Sequence, residues 1–275
     1  MIRDIIVNLS IHEGSQPILA YAVSVASSLE AHITGIAFAY GPTDPVSALG
    51  YIRAQIIDER SNNEAMAKAA MNRFSAASAR AGVSAEQRML SANIDGAGDQ
   101  FARIARLFDL AIVSQANPDG SAVEGMISES TLFGSGRPVI IVPYIQKAPL
   151  KLDQVMVCWD GSRPAARAVA DAMPFLERAK QVEVVIVTNE PRKNNEIEGV
   201  DVGQHLARHG LNVEVRRIPR GNIDVADALL SHAADSGVDF MVMGGYGHSR
   251  MREFVLGGVT RSIFHSATVP TLMSH

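Results

Sequence analysis

The chain is short of the residues that most often announce chemistry. It holds one cysteine in 275 residues, Cys158, so no internal disulfide can form. The apolar neighbours of Cys158 suggest a buried strand thiol rather than a nucleophile. There is no Cys-x-x-Cys, no His-Glu-x-x-His and no Gly-x-Ser-x-Gly, and Asp160, the nearest thing to an isolated catalytic carboxylate, has no recognisable partner. Nothing in the sequence demands a reaction. An excess of one charge is also missing. A formal net charge of −4 and a pI near 6.1 give no broad electrostatic reason to bind nucleic acid. No apolar run approaches the ~20 residues of a membrane helix, and the N-terminus lacks the basic-then-apolar plan of a signal peptide. The expectation is a cytoplasmic protein with neither membrane nor nucleic acid as partner.

What is present is a globular composition, 47% hydrophobic and 20% charged, in a chain long enough for one large domain or two small ones with real cores. The order of its segments favours two. Ile2 to Leu9 is an apolar, β-branched run, helix-favouring residues follow from about Pro17 to Leu29, and Ile33 to Phe38 supplies another strand. That order implies a right-handed parallel unit. Leu110 to Ser114 and Val139 to Pro143 read as further buried strands. The plan restarts near Lys151, where Gln154 to Trp159 echoes Asp4 to Leu9, and Ser162 caps a helix with Pro164 in its first turn. Val184 to Thr188 and Val213 to Ile218 supply the next strands. Asp239 to Met243 then matches Asp109 to Val113, and Val269 to Leu272 matches the strand after Pro138. A tandem duplication is expected, with halves 1–147 and 148–275 and a joint between Ile145 and Lys151. The first half carries extra chain from Gly41 to about Asn63, ahead of a long helix ending near Gly82. This segment reads either as a surface helix on its own domain or as a lid or interface over the site of the second half.

The densest signal is in residues 239–275. An apolar run, Phe240 to Met243, breaks at Gly244, Gly245 and Gly247; a second pair, Gly257 and Gly258, precedes a short helix from Val259 to Ser266. Glycines let backbone N–H groups approach an anion closely, and a helix start adds unbonded N–H groups and a positive dipole end. Together they would cradle phosphate; taken singly, the same glycines serve ordinary strand-to-helix turns. His248, Arg250 and Arg252 follow the loop and could neutralise phosphates or lie solvated on a short helix capped by Ser249. His205 and His209, four apart in a helix ended by Gly210, could meet a metal, but no carboxylate or cysteine nearby completes a set. A histidine in a last helical turn is already explained by the helix dipole.

The spacing Gly244-x2-Gly247-x9-Gly257 after a strand, with Val269-Pro270 leading into the last strand, resembles the nucleotide-binding signature of the universal stress protein family. The resemblance covers both halves and is closer in the second. It implies two tandem doubly wound, mostly parallel five-stranded sheets of the adenine nucleotide alpha hydrolase-like kind, packed through their last strands as an intramolecular pseudo-dimer. A homodimer and an unidentified protein partner are left open. It further implies ATP or a related adenine nucleotide as ligand, with Asp160 accepting from ribose, backbone N–H groups offered by Gly244, Gly247, Gly257, Gly258 and Val259, and a hydroxyl from Thr260. Asp160 could equally cap the helix near Pro164, and the two roles are compatible. Gly258 departs from the family, which places a hydroxyl residue there. Ser10 stands at the position equivalent to Asp160 in the first half, whose loop from Gln115 to Gly136 lacks the glycine spacing, so that half is expected to be a degenerate copy. Two further functions stay in view: a stress interaction protein with a vestigial pocket, and a weak nucleotide hydrolase or adenylyl transferase, for which neither a general base nor a metal set is visible.

Overall fold

The computed structural model describes residues 1–11, 16–41, 53–117, 122–188, 200–245 and 258–275, and the chain divides into two compact units, Met1–Arg137 and Pro138–His275. In the first, four parallel strands run β1 (Asp4–Leu9), β2 (His32–Tyr40), β3 (Ala85–Ala92) and β4 (Leu110–Ser114), in the sheet order β3-β2-β1-β4. The central strands are buried on both faces, which is why they read as continuous apolar runs rather than alternating ones: five of the six residues of β1 and seven of the nine of β2 are buried. Strand β3 has no buried residue. It is an edge strand of polar and charged side chains, the composition that discourages pairing with a stray chain, and no apolar run marks it in the sequence. Helices α1 (Gln16–Leu29) and α2 (Arg53–Ala81) lie side by side, as do α3 (Ile94–Ala105) and α4 (Val123–Gly134). Helix α2 packs on β1, β2 and β3 of its own unit, which agrees with the reading of a helix laid on its own domain. Most of the extra chain that precedes it lies outside the described residues.

The second unit repeats this plan. Its strands are β5 (Val139–Val142), β6 (Gln154–Cys158), β7 (Gln181–Thr188), β8 (Val213–Pro219), β9 (Phe240–Gly244) and β10 (Thr271–Ser274), ordered β5-β10-β9-β6-β7-β8. From β10 to β8 the pairing is parallel, and the strand order is that of the first unit extended by one strand. Its helices are α5 (Arg163–Leu176), α6 (Val200–Arg208), α7 (Val225–Asp235) and α8 (Gly258–Ser266). The sixth strand is the departure from a five-stranded sheet. β5, the last strand of the first half by sequence, pairs antiparallel with β10 through Thr271↔Ile141 and Met273↔Val139, and so belongs with the second unit. Both strands are wholly buried. Without β5, the apolar strand β10 would present bare backbone groups at an edge.

The two units share a side-chain device as well as an order of strands. At the start of β4, Asp109 Oδ2 accepts from the backbone N–H groups of Arg3 (2.8 Å) and Asp4 (3.1 Å) at the start of β1. At the start of β9, Asp239 Oδ2 accepts from Asp153 (3.1 Å) and Gln154 (3.0 Å) at the start of β6. Each carboxylate ties the two strands that flank the point where the chain changes direction across the sheet. No helix among the described residues is long and apolar enough to cross a membrane.

Candidate functional site

In the second unit the chain leaves β6 through α5 toward β7 on one side, and leaves β9 through α8 toward β10 on the other. Strands β6 and β9 are neighbours, so the loops beyond their carboxyl ends diverge and leave a crevice. Ligands of open α/β sheets occupy this switch point. The register Cys158↔Met243 brings residues 159–161 alongside Gly244 and Gly245. The topology therefore places Asp160 and the first glycines of the signature at one crevice, although 84 positions separate them in sequence.

Asp160 is exposed, and its Oδ1 accepts from the backbone N–H of Ser162 at 2.9 Å. The turn between them needs Gly161, whose φ is 75°, a left-handed conformation that side chains disfavour. Ser162 then caps α5, its Oγ accepting from Ala165 N–H at 3.2 Å, with Pro164 in the first turn. So Ser162, and not Asp160, is the helix cap, and one carboxylate oxygen of the exposed Asp160 is held by the turn. On the strand before it, burial pushes the Cys158 thiol up to about 12, with the charge of Asp160 as the second cause. The thiol stays protonated and is no nucleophile near neutral pH.

Gly244 has a packing reason to be glycine. A Cβ there would sit 2.4 Å from Ala165 N and 2.6 Å from the Pro164 carbonyl carbon, so β9 runs directly against the first turn of α5 and closes one wall of the crevice. The N–H of Gly245 is spent on Ser274 O at 2.8 Å. Gly258 opens α8, and among the described residues no atom lies within 4 Å of the place a Cβ would take. Val259 is half-buried, and Thr260 is only 3% exposed, turned into the protein rather than out of it. Gly247 and Gly257, with His248, Arg250 and Arg252, lie outside the described residues.

The corresponding crevice of the first unit, between β1 and β4, is differently furnished. Ser10 Oγ donates to Glu124 Oε1 at 2.7 Å, across the strand ends to the first turn of α4. Glu124 Oε2 is buried without a hydrogen-bond partner. Nearby at the end of β2, burial and, second, the charge of Glu124 push the Tyr40 hydroxyl upward. A carboxylate thus stands at the start of the helix where a phosphate-binding crevice would present bare N–H groups. Sequence reasoning named Ser10 but not its bond to Glu124, nor Tyr40, because a strand end and a helix start 114 residues apart have no local pattern that links them.

Among the described residues no three His, Cys, Asp or Glu side chains gather as a metal site. His205, on α6, and His209, in the turn just after it, are exposed with their rings 4.8 Å apart, and among the described residues no third ligand joins them.

The model of the universal stress protein family matches residues 151–275. The universal stress protein Slr1230 of Synechocystis is 22% identical over 170 residues, which are 60% of this chain and 57% of that relative, so the match spans little more than half of the relative's length. In three dimensions the chain is similar to a universal stress protein from Archaeoglobus fulgidus, with a TM-score of 0.73 at 19% identity over 98% of this chain and 97% of that one. It is also similar to a putative universal stress protein from Pseudomonas aeruginosa, with a TM-score of 0.61 at 13% identity over 99% and 93%. At these identities the likeness is one of fold.

Proposed function

We propose that this chain, whose residues 151–275 belong to the universal stress protein family, binds ATP or a related adenine nucleotide at the β6/β9 crevice and serves a stress response through its bound state. The observation that carries the reading is the switch-point crevice itself. Asp160 stands there exposed, with one carboxylate oxygen held by Ser162, beside a strand end whose glycine admits close packing. An exposed carboxylate at that position suits ribose hydroxyls. Gly258, at the start of α8, has open space for an anion and brings the N–H groups of a first helical turn. With Gly247, Gly257 and Val259 it makes up the phosphate side, and Thr260 contributes through the backbone of that turn.

Binding is asymmetric, one nucleotide per chain. The first half is a degenerate copy in which Glu124, bonded to Ser10, would repel a triphosphate. The halves 1–147 and 148–275 are a tandem duplication, supported by the shared strand order and by the matched Asp109 and Asp239 latches. The protein works in the cytoplasm as a pseudo-dimer, read by a protein partner, and without a metal of its own. Calorimetric titration with ATP, together with mass analysis of any ligand released from heat-denatured protein, tests this. A stoichiometry near one supports it, and a stoichiometry near two contradicts the asymmetry. The burial of Thr260 and the missing hydroxyl at Gly258 favour the second reading, an interaction protein with a vestigial pocket. Absence of measurable binding by wild type and by Gly258→Ser would select that reading.

A further inference from the structure

We propose that the groove between α1 and α2 of the first unit binds a long-chain carboxylate, an anionic amphiphile of the fatty-acid class. The groove encloses a cavity of about 650 Å³, within the range of about 300–1,000 Å³ typical of small-molecule sites. One wall is Ile18, Leu19 and Val23 of α1; the facing wall is the stretch of α2 from Ala70 to Ala81, where Ala77 and its neighbours are too small to fill the gap. That stretch is about 16 Å long at 1.5 Å per residue, which suits an extended hydrocarbon chain rather than a compact ring.

Charge decides which amphiphile. Helix α1 carries no Asp, Glu, Lys, Arg or His over Gln16–Leu29, so no charged side chain on that wall selects or repels a charge. On the other wall, residues 65–81 of α2 contain Lys68, Arg73 and Arg80 and not one acid. Arg73 and Arg80 both line the cavity. Seven residues apart, they lie on one helix face about 10 Å from each other. Arg80 spends its Nε on Ala76 O at 3.1 Å, and neither arginine makes an ion pair among the described residues. An apolar trough flanked by uncompensated guanidinium groups matches a carboxylate head on a hydrocarbon tail, since arginine pairs with carboxylate through two parallel hydrogen bonds. At the strand-end side of the groove Glu124 bonds the lining residue Ser10, so the head group goes to the arginines and the tail toward Leu9 and Ile18. The site is separate from the Asp160 crevice, and its outcome does not turn on nucleotide binding.

The test is titration of the full chain with dodecanoate below its micelle concentration, with dodecyltrimethylammonium as the charge-reversed control. One dodecanoate per chain is expected, with the cation bound at least about tenfold more weakly. Arg73→Gln with Arg80→Gln should erase that preference, and Ala77→Trp, which fills the trough, should abolish binding of both. The two arginine changes lie at half-buried and exposed positions, so they keep the test decisive if Ala77→Trp does not fold. No binding, equal binding of the two detergents by wild type, or uptake of many molecules per chain insensitive to these variants would overturn the proposal. So would a dimer, seen by sedimentation, that Ala77→Trp disperses and dodecanoate does not.

Discussion

Replacing Asp160 separates its two jobs. Its Oδ1 holds the turn through the Ser162 N–H at 2.9 Å, and its carboxylate is the acceptor proposed for ribose. Asp160→Ala removes both. Asp160→Asn keeps a carbonyl oxygen for Ser162 and loses the charge. Ser162 caps α5 independently, and the Asp160 bond lies at an exposed position, so the unliganded protein should lose no more than about 1 kcal/mol in either variant. Hydrogen bonds to a charged acceptor are worth about 1.5–3 kcal/mol, so Asp160→Ala should raise the Kd for ATP by roughly 10- to 150-fold. Asp160→Asn should fall between the two proteins, because a neutral amide oxygen accepts more weakly than a carboxylate. The assay is calorimetric titration with ATP, paired with thermal unfolding without ligand. Unchanged affinity in Asp160→Ala would remove the residue from the site. A large drop in the ligand-free melting temperature would show instead that the carboxylate serves the turn, and that any loss of affinity is indirect.

Gly258→Ser should tighten ATP binding, since its backbone is not in the left-handed region and the side chain meets open space; weaker binding, read by the same titration, would refute the phosphate role of this turn. Gly244→Ala should cost at least about 1–3 kcal/mol in chemical denaturation, as the added methyl would press on the backbone of α5, and a neutral result would mean β9 and α5 can separate freely. Cys158 should resist iodoacetamide at pH 8 in the native protein and react once it unfolds. Its folded pKa of about 12 lies above the unfolded value, so its contribution to stability is fully present below about pH 8.5 and is lost as pH rises from there to about 12. A stability curve flat across that window would contradict the burial of the thiol. Asp239→Asn weakens the device that ties β9 to β6: Asp153 and Gln154 share Oδ2, so an amide oxygen can still accept from both, but without charge, and the Lys151 pair at Oδ1 is lost. A loss of about 1–3 kcal/mol is expected in denaturant melts, with a similar loss in Asp109→Asn. Widely different losses would argue against equivalence of the two latches.

The buried strands could be read directly, because a strand covered on both faces is apolar over most of its length; Ile5 to Val7, Leu110 to Val113 and Phe240 to Met243 are such runs. So could the helix start at Ser162 and Pro164, whose signal is local chemistry. Strand β3 could not, because an edge strand with no buried residue leaves no hydrophobic pattern. Neither could the seat of β5. Its apolar run shows that it is a strand, but the choice of β10 as antiparallel partner is made by pairing between distant segments. The site divides in the same way. Glycine spacing and an aspartate after a strand are visible as letters. That Cys158 lies opposite Met243, and so brings Asp160 beside Gly244, follows only from sheet register. Tertiary packing likewise decides that Thr260 turns inward and that Glu124 closes on Ser10. Each depends on which distant segments the fold sets against one another, and a linear sequence does not record that.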